Sequence, residues 1–141
     1  MTYMPIVLIK SSIILLLKSL YKGSAIMELF KLDGFENYYI TKSGKIFKKI
    51  NNDKPLKEIK PFLDNHNSYR VNLSTEKGKY TTKQLHTLVY KTFKGDINSK
   101  RGEYNKIENM IVFIDGNVKN CSIDNLMTVK ELKEFYNNHN L

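Results

Sequence analysis

Few side chains in this 141-residue chain have the types and spacing to do acid–base or metal chemistry near neutral pH. A general base would be sought among the three histidines, His66, His86 and His139, whose ordinary pKa lies in that range. His66 falls in a polar connection, and His139 lies close to the C-terminal end, where chains are commonly poorly ordered. His86 opens an apolar segment instead. The single Cys121 excludes an intramolecular disulfide framework and a cysteine-based zinc cage. With only His139 after it, that thiol reads as a small packed side chain rather than a nucleophile. The stretch "VFIDGNVKNCSIDNL", residues 112–126, gathers carboxylates and amides. Its Asp115-Gly116-Asn117 is first of all a tight-turn signal, the carboxylate bonding back to backbone and Gly116 taking the strained dihedrals.

The cations point outward, to a partner. The chain has 21 Lys and 2 Arg against 14 acids, for a net charge of +9. Seven lysines (42, 45, 48, 49, 54, 57 and 60) crowd residues 42–60, which hold only Asp53 and Glu58 as acids. Such an excess suits nucleic acid or an acidic membrane surface. With 15 Asn beside the 21 Lys, the coding bias of an AT-rich genome gives the same composition, and both explanations stand.

The elements that must position these residues read as a mixed fold. With 41% hydrophobic and 26% charged residues, the chain is globular, one domain or two very small ones sharing a core. "YYIT" (38–41) and "KIFKKI" (45–50) flank a Lys-Ser-Gly turn, a hairpin signal. The connection "NNDKPLKEIKPFLDNHNS" carries Pro55 and Pro61, which argue against a central strand. "YRVNLST" (69–75) alternates Tyr69, Val71 and Leu73 on one face, and "YTTKQL" (80–85) returns beside it, giving four strands up to residue 85. Tyr38, Tyr39, Tyr69 and Tyr80 read as core or sheet-face side chains, with base stacking as the other use. The period then changes: Leu85, Leu88, Val89 and Phe93 form a helical stripe ending at Gly95. A polar loop leads to an apolar strand "MIVFI" (110–114), and Ser122 or Asp124 is placed to cap a short turn before a final helix over "VKELKEFYNN".

Residues 1–26 differ from the rest. "PIVLIKSSIILLLKSL" is apolar, holds no acid, and is interrupted by Lys10. It is short for a membrane span, which needs roughly 20 apolar residues, and lacks the basic n-region of a secretory signal. The expectation is an apolar extension, outside the natural fold if Met27 is the true start; an amphipathic, membrane-associated helix is the alternative. Lys10, Lys18 and Lys22 carry three of the positive charges, so residues 27–141 keep +6.

Three segments in order carry a resemblance. "DGFENYYITKSGKIF" resembles the small module that opens many phage and intron-encoded HNH homing endonucleases. "KGKYTTKQLHTLVYKTFKG" is similar to the strand and His-containing helix that follow it, and "VFIDGNVKNCSIDNLMTV" to the HNH core. The resemblance runs from about Leu29 to Val129. It implies an α+β fold, a small antiparallel β-sheet module (27–75) followed by a ββα-metal, HNH-like core (76–141). It implies a site in which a His at the end of the first strand activates water and hard oxygen ligands hold one divalent metal on the scissile phosphate. Asp115, Gly116, Asn117, Asn120 and Asn125 match the scaffold of that motif. The reagents do not match: Phe113 stands at the general-base position and Val112 at the preceding ligand position. The last ligand position falls near Glu134, the candidate metal ligand, and His86 is the candidate substitute base.

The resemblance therefore implies a DNA-binding HNH endonuclease-like protein of a phage or mobile element, intracellular in the host cytoplasm, with a degenerate, inactive site. Lys45, Lys48, Lys49, Arg70, Lys83, His86 and Lys91 are the expected DNA contacts, through phosphates rather than bases. No cofactor is expected unless the site is active, in which case Mg2+ or another divalent metal is. No small-molecule substrate is expected, and no membrane unless residues 5–20 are functional. Two alternatives remain: a working metal-dependent nickase or homing endonuclease with a non-standard site, and a protein-binding module on the same scaffold.

Overall fold

A tight hairpin organises the first half of the chain. In the computed structural model, which describes residues 6–8, 26–75, 78–95, 97 and 107–139, β4 (Tyr38–Ile40) turns through Thr41–Lys45 into β5 (Ile46–Lys48). The buried Thr41 hydroxyl accepts the Lys45 N–H at 3.0 Å, and the Gly44 N–H donates to the Thr41 carbonyl at 3.0 Å. Gly44 has φ +87°, and a Cβ there would stand 2.8 Å from the Cys121 carbonyl oxygen. The turn is thus pressed against the loop before the second half's last strand, where the Ile123 N–H donates to the Lys42 carbonyl at 2.8 Å. Only glycine meets both the dihedral and the space.

β3 (Phe30–Lys31) and β6 (Lys57–Ile59) complete an antiparallel sheet in the order β3-β4-β5-β6. A second antiparallel sheet holds β7 (Phe62–Leu63), β8 (Tyr69–Ser74) and β9 (Tyr80–Gln84). The connection after β5 is therefore not strandless, and the expected four strands are too few. β6 and β7 each lie at the edge of a sheet, with Pro55 before one and Pro61 between the two, so neither strand requires a proline N–H. At two or three residues they are too short to show alternation. Upstream, β1 (Ile6–Leu8) pairs in parallel with β2 (Ile26–Glu28). The rest of the apolar extension, residues 1–5 and 9–25, lies outside the described residues. No helix among the described residues is long and apolar enough to cross a membrane.

α1 (Leu85–Lys94) follows β9 directly and stops at Gly95, as the stripe predicts. Leu85, Val89 and Tyr90 are buried, Leu88 and Phe93 partly so, and the Phe93 ring meets Phe30 edge-on at 4.9 Å. β10 (Ile111–Phe113) and β11 (Leu126–Thr128) pair antiparallel, Phe113 opposite Leu126, and α2 (Val129–His139) completes a ββα unit. Ser122 precedes the 3-10 turn Ile123–Asn125 but makes no side-chain cap bond. The cap that matters is Thr128. Its hydroxyl accepts the Glu131 N–H at 3.2 Å, and the Glu131 carboxylate accepts the Thr128 N–H at 3.2 Å, a reciprocal capping box.

One core serves both halves. Ile40 and Ile46 from the first sheet, Val71 and Leu73 from the second, Leu85 and Val89 from α1, and Leu126 from β11 are all fully buried. Each such side chain contributes roughly 1.5–3 kcal/mol. The β8–β9 hairpin carries the core across residue 75.

Candidate functional site

The loop between β10 and β11 is closed by its own side chains. Asp115 Oδ1 accepts the Asn117 backbone N–H at 2.8 Å and the Asn125 amide at 2.9 Å, while Oδ2 accepts the Asn120 amide at 2.8 Å. Asn125, buried, returns the favour: its Oδ1 accepts the Asp115 backbone N–H at 2.9 Å, and its amide also donates to the Asn120 carbonyl at 2.9 Å. The Asn117 side chain accepts the Lys119 N–H at 3.0 Å, and the Gly116 N–H donates to Phe113 at 2.9 Å, with φ +75° at Gly116. Donation from Asn120, then Asn117 and Asn125, holds the Asp115 carboxyl below the usual carboxylate range. Both Asp115 oxygens are spent on the loop.

Just before this loop stands Phe113, half-buried at the end of β10. Its ring meets the imidazole of His86, edge to face, at 5.2 Å between centroids and 71° between planes. His86 is the second residue of α1, so the β9–α1 junction delivers it to the end of β10. Its Nδ1 is buried with no hydrogen-bond partner. Burial first, and then the positive charge of Arg70, push its pKa below the ordinary histidine value, so the imidazole is a free base in neutral water. Arg70 in turn is held through its Nε by Asp64. Asp64 also accepts the N–H groups of His66 at 2.8 Å and Ser68 at 3.0 Å. With Arg70 the largest cause, the Asp64 carboxyl is drawn down to about 2.

These donors do not fit the divalent metal that the resemblance implies. Val112 and Phe113 offer no ligand atom, and both Asp115 oxygens already accept hydrogen bonds within the loop. Glu134 is exposed on α2. Among the described residues no three His, Cys, Asp or Glu side chains gather at one point. The α2 carboxylate that is drawn inward is Glu131, which accepts a hydrogen bond from the Tyr90 hydroxyl and pairs with the Lys94 ammonium at 3.2 Å. Burial pushes Glu131 up, but the donors Tyr90, Thr128 and Lys94 together outweigh it and hold it below its ordinary value. Tyr90 itself is pushed up to about 12, by burial and then by Glu131. Burial raises the Cys121 thiol to about 11, which leaves it inert.

The expected DNA contacts are not all together. Arg70, Lys83 and Lys91 line one groove, beside α1. Lys48 lines another, its Nζ donating to the Ser74 hydroxyl at 2.8 Å and lying 5.4 Å over the Tyr38 ring. Lys45 and Lys49 line neither, Lys45 being exposed and Lys49 half-buried. Sequence reasoning missed Asp64 and Glu131. An Asx turn six residues before Arg70, and the Thr-x-x-Glu spacing before α2, are the signals that carry them.

No protein-family model matches the chain, and no curated protein matches it. A solved structure does: "DNA binding and cleavage by the HNH homing endonuclease I-HmuI", with a TM-score of 0.51, 22% sequence identity and 81% of this chain covered. This chain spans 60% of the length of that one. At that identity the likeness is one of fold: small antiparallel sheets and helices in the α+β, HNH-like arrangement.

Proposed function

We propose that this protein binds DNA through an HNH-like fold and does not hydrolyse it. The observation that carries the reading is Phe113 at the end of β10, its ring against His86, immediately before a loop that keeps the Asp115–Asn125 closure. The neighbour's title names DNA binding and cleavage. The binding half is supported here by the basic surface, and the cleavage half lacks reagents. Losing a general base costs on the order of 10²–10⁴ in rate, and no three metal-binding side chains gather among the described residues. On this reading the protein belongs to a phage or mobile element and works inside the host cell.

A second reading has one observation in its favour. The His86 imidazole is unprotonated at neutral pH, leaves Nδ1 unpaired, and sits beside Phe113. It is the base an active, non-standard site would use, with Glu134 as its metal ligand. Incubating supercoiled plasmid with the protein and Mg2+ or Mn2+, beside a gel shift at rising salt, separates the two. The expected result is a salt-dependent shift and no nicked circle. Nicking that Glu134→Ala abolishes and His86→Ala weakens overturns the inactive site. No shift even at low salt overturns DNA binding.

A further inference from the structure

Two grooves flank the turn that follows β3, and Leu32, Asp33 and Phe35 form the wall between them. Their charges differ. The larger, about 880 Å³, sets Lys31 and Lys48 against Asp33 and Glu36, and Lys48 is already committed to Ser74 and the Tyr38 ring. The smaller, about 610 Å³, lies along α1 and the end of β9 and sets Arg70, Lys83 and Lys91 against Asp33 alone.

The hydrogen-bond inventory of the smaller groove sharpens the contrast. Its hydroxyl protons are spent: Thr82 donates to Asn72 at 2.7 Å, Thr87 to Gln84 at 3.1 Å and Thr92 to the Leu88 carbonyl at 2.7 Å. Lys83 and Lys91 are exposed and engage in no ion pair among the described residues. Arg70 meets Asp64 through Nε, which leaves its terminal amino groups to donate. The Gln84 amide accepts from Thr87 through its oxygen and keeps its NH2. What the groove offers, apart from Asp33, is therefore almost entirely N–H donors and positive charge. Thr87 and Lys91, four residues apart on α1, share a helix face with about 6 Å between their Cα atoms along the axis. With Lys83 at the end of β9, the cations form a track rather than a point.

We propose that this groove seats the sugar-phosphate backbone of duplex DNA, with Lys83, Lys91 and the free end of Arg70 taking its phosphates. The proposal rests on the DNA-binding reading above and adds which face does the binding. Contacts of this kind carry no sequence information and act through released counterions, so they are read in the salt dependence of affinity.

The test uses the full chain and a fluorescent 20-base-pair duplex, with binding constants measured between 50 and 200 mM KCl. Lys83→Ala and Lys91→Ala are each expected to flatten the slope of log Kobs against log[KCl] by about one, and the double variant by about two. Lys130→Ala, which removes an exposed charge on α2, is expected to leave the slope unchanged. Circular dichroism checks that each variant is folded. If the wild type binds with a salt-dependent affinity and the double variant keeps its slope, the groove is overturned and the DNA-binding reading stands. If Lys130→Ala flattens the slope as much, undirected surface charge does the binding and the groove is overturned. If the wild type shows no binding at 50 mM KCl, both fall. If the double variant instead loses binding to phosphatidylserine–phosphatidylcholine vesicles while its DNA slope is unchanged, the groove belongs to lipid and the proposal fails.

Discussion

The imidazole of His86 and the ring of Phe113 meet edge to face at 5.2 Å, joining the start of α1 to the end of β10. The contact spans 27 positions of sequence and ties the β9–α1 corner to the ββα unit. Such pairs contribute about 0.5–1.5 kcal/mol beyond the area they bury. Phe113→Ala should cost about 1–3 kcal/mol in urea denaturation, since the ring is only half-buried. It should also return the His86 pKa toward its ordinary value, read by NMR titration of the imidazole. An unmoved pKa in a folded variant would mean that Phe113 contributes nothing to the burial of His86.

The depressed His86 pKa has a consequence for stability against pH. The unfolded chain binds a proton at about 6.5 that the folded chain binds only at lower pH, because burial and then Arg70 oppose the charge. The contribution of this site is therefore complete above about pH 6.5 and is lost as pH falls from there toward the folded pKa. Denaturation midpoints at pH 7.5 and pH 5.5 should differ more in the wild type than in His86→Gln. Equal differences would count against the shift.

Asn125 is the keystone of the loop. Asn125→Ala removes the partners of the Asp115 N–H and the Asn120 carbonyl and the Asp115 carboxylate's donor, at about 0.5–1.5 kcal/mol for each part-buried hydrogen bond. A loss of about 2–4 kcal/mol by chemical denaturation is expected. Asn117→Ala, at an exposed position whose side chain accepts only the Lys119 N–H, should cost less than about 1 kcal/mol.

Gly44 joins the first hairpin to the second half. Gly34 has a similar φ of +81° but nothing within 4 Å of an added Cβ, whereas Gly44 faces the Cys121 carbonyl at 2.8 Å. Alanine at Gly34 should cost about 1 kcal/mol for the dihedral alone. At Gly44 it should cost clearly more, and the Ile123 amide should lose its protection from hydrogen exchange as the turn is pushed away. Equal costs at both glycines would show that the docking is soft.

α2 has no fully buried residue, and Glu131 with its partners is the tie of its first turn to α1, beside the Val129 N–H on the Met110 carbonyl at 2.9 Å. Glu131→Ala removes the capping box, worth about 1 kcal/mol, and strips the buried Tyr90 hydroxyl of its acceptor. A total near 2–3 kcal/mol is expected, with faster amide exchange over residues 129–139 than elsewhere. Uniformly faster exchange would mean that α2 is held by something other than its first turn.

Much of this arrangement is legible in the sequence because it is local. The Lys-Ser-Gly turn, the stripe of Leu85, Leu88, Val89 and Phe93, the stop at Gly95 and the Asp115-Gly116-Asn117 turn each carry their signal within a few residues. β6 and β7 are too short to show a period, so the prolines beside them dominate the reading. The Thr128-Val-Lys-Glu131 spacing is a helix-start signal in plain sight, overshadowed by Ser122 and Asp124 a few residues earlier. What no local pattern carries is the meeting of distant side chains. That His86 would face Phe113, that Lys48 would turn inward to Ser74, and that Lys83 and Lys91 would share a groove all depend on how the sheets and α1 stack.

The closure of the 115–125 loop makes it indifferent to its neighbour. Its side-chain bonds join Asp115, Asn117, Asn120 and Asn125 to one another and to nearby loop amides, and the loop bond that reaches Phe113 goes to its backbone carbonyl. The side chain at that strand end is thus free to be exchanged without unlatching the loop, so shape and chemistry at this corner rest on different atoms. A side chain of different chemistry at position 113 would leave the loop latched, which makes that position the simplest place to change the chemistry of this corner.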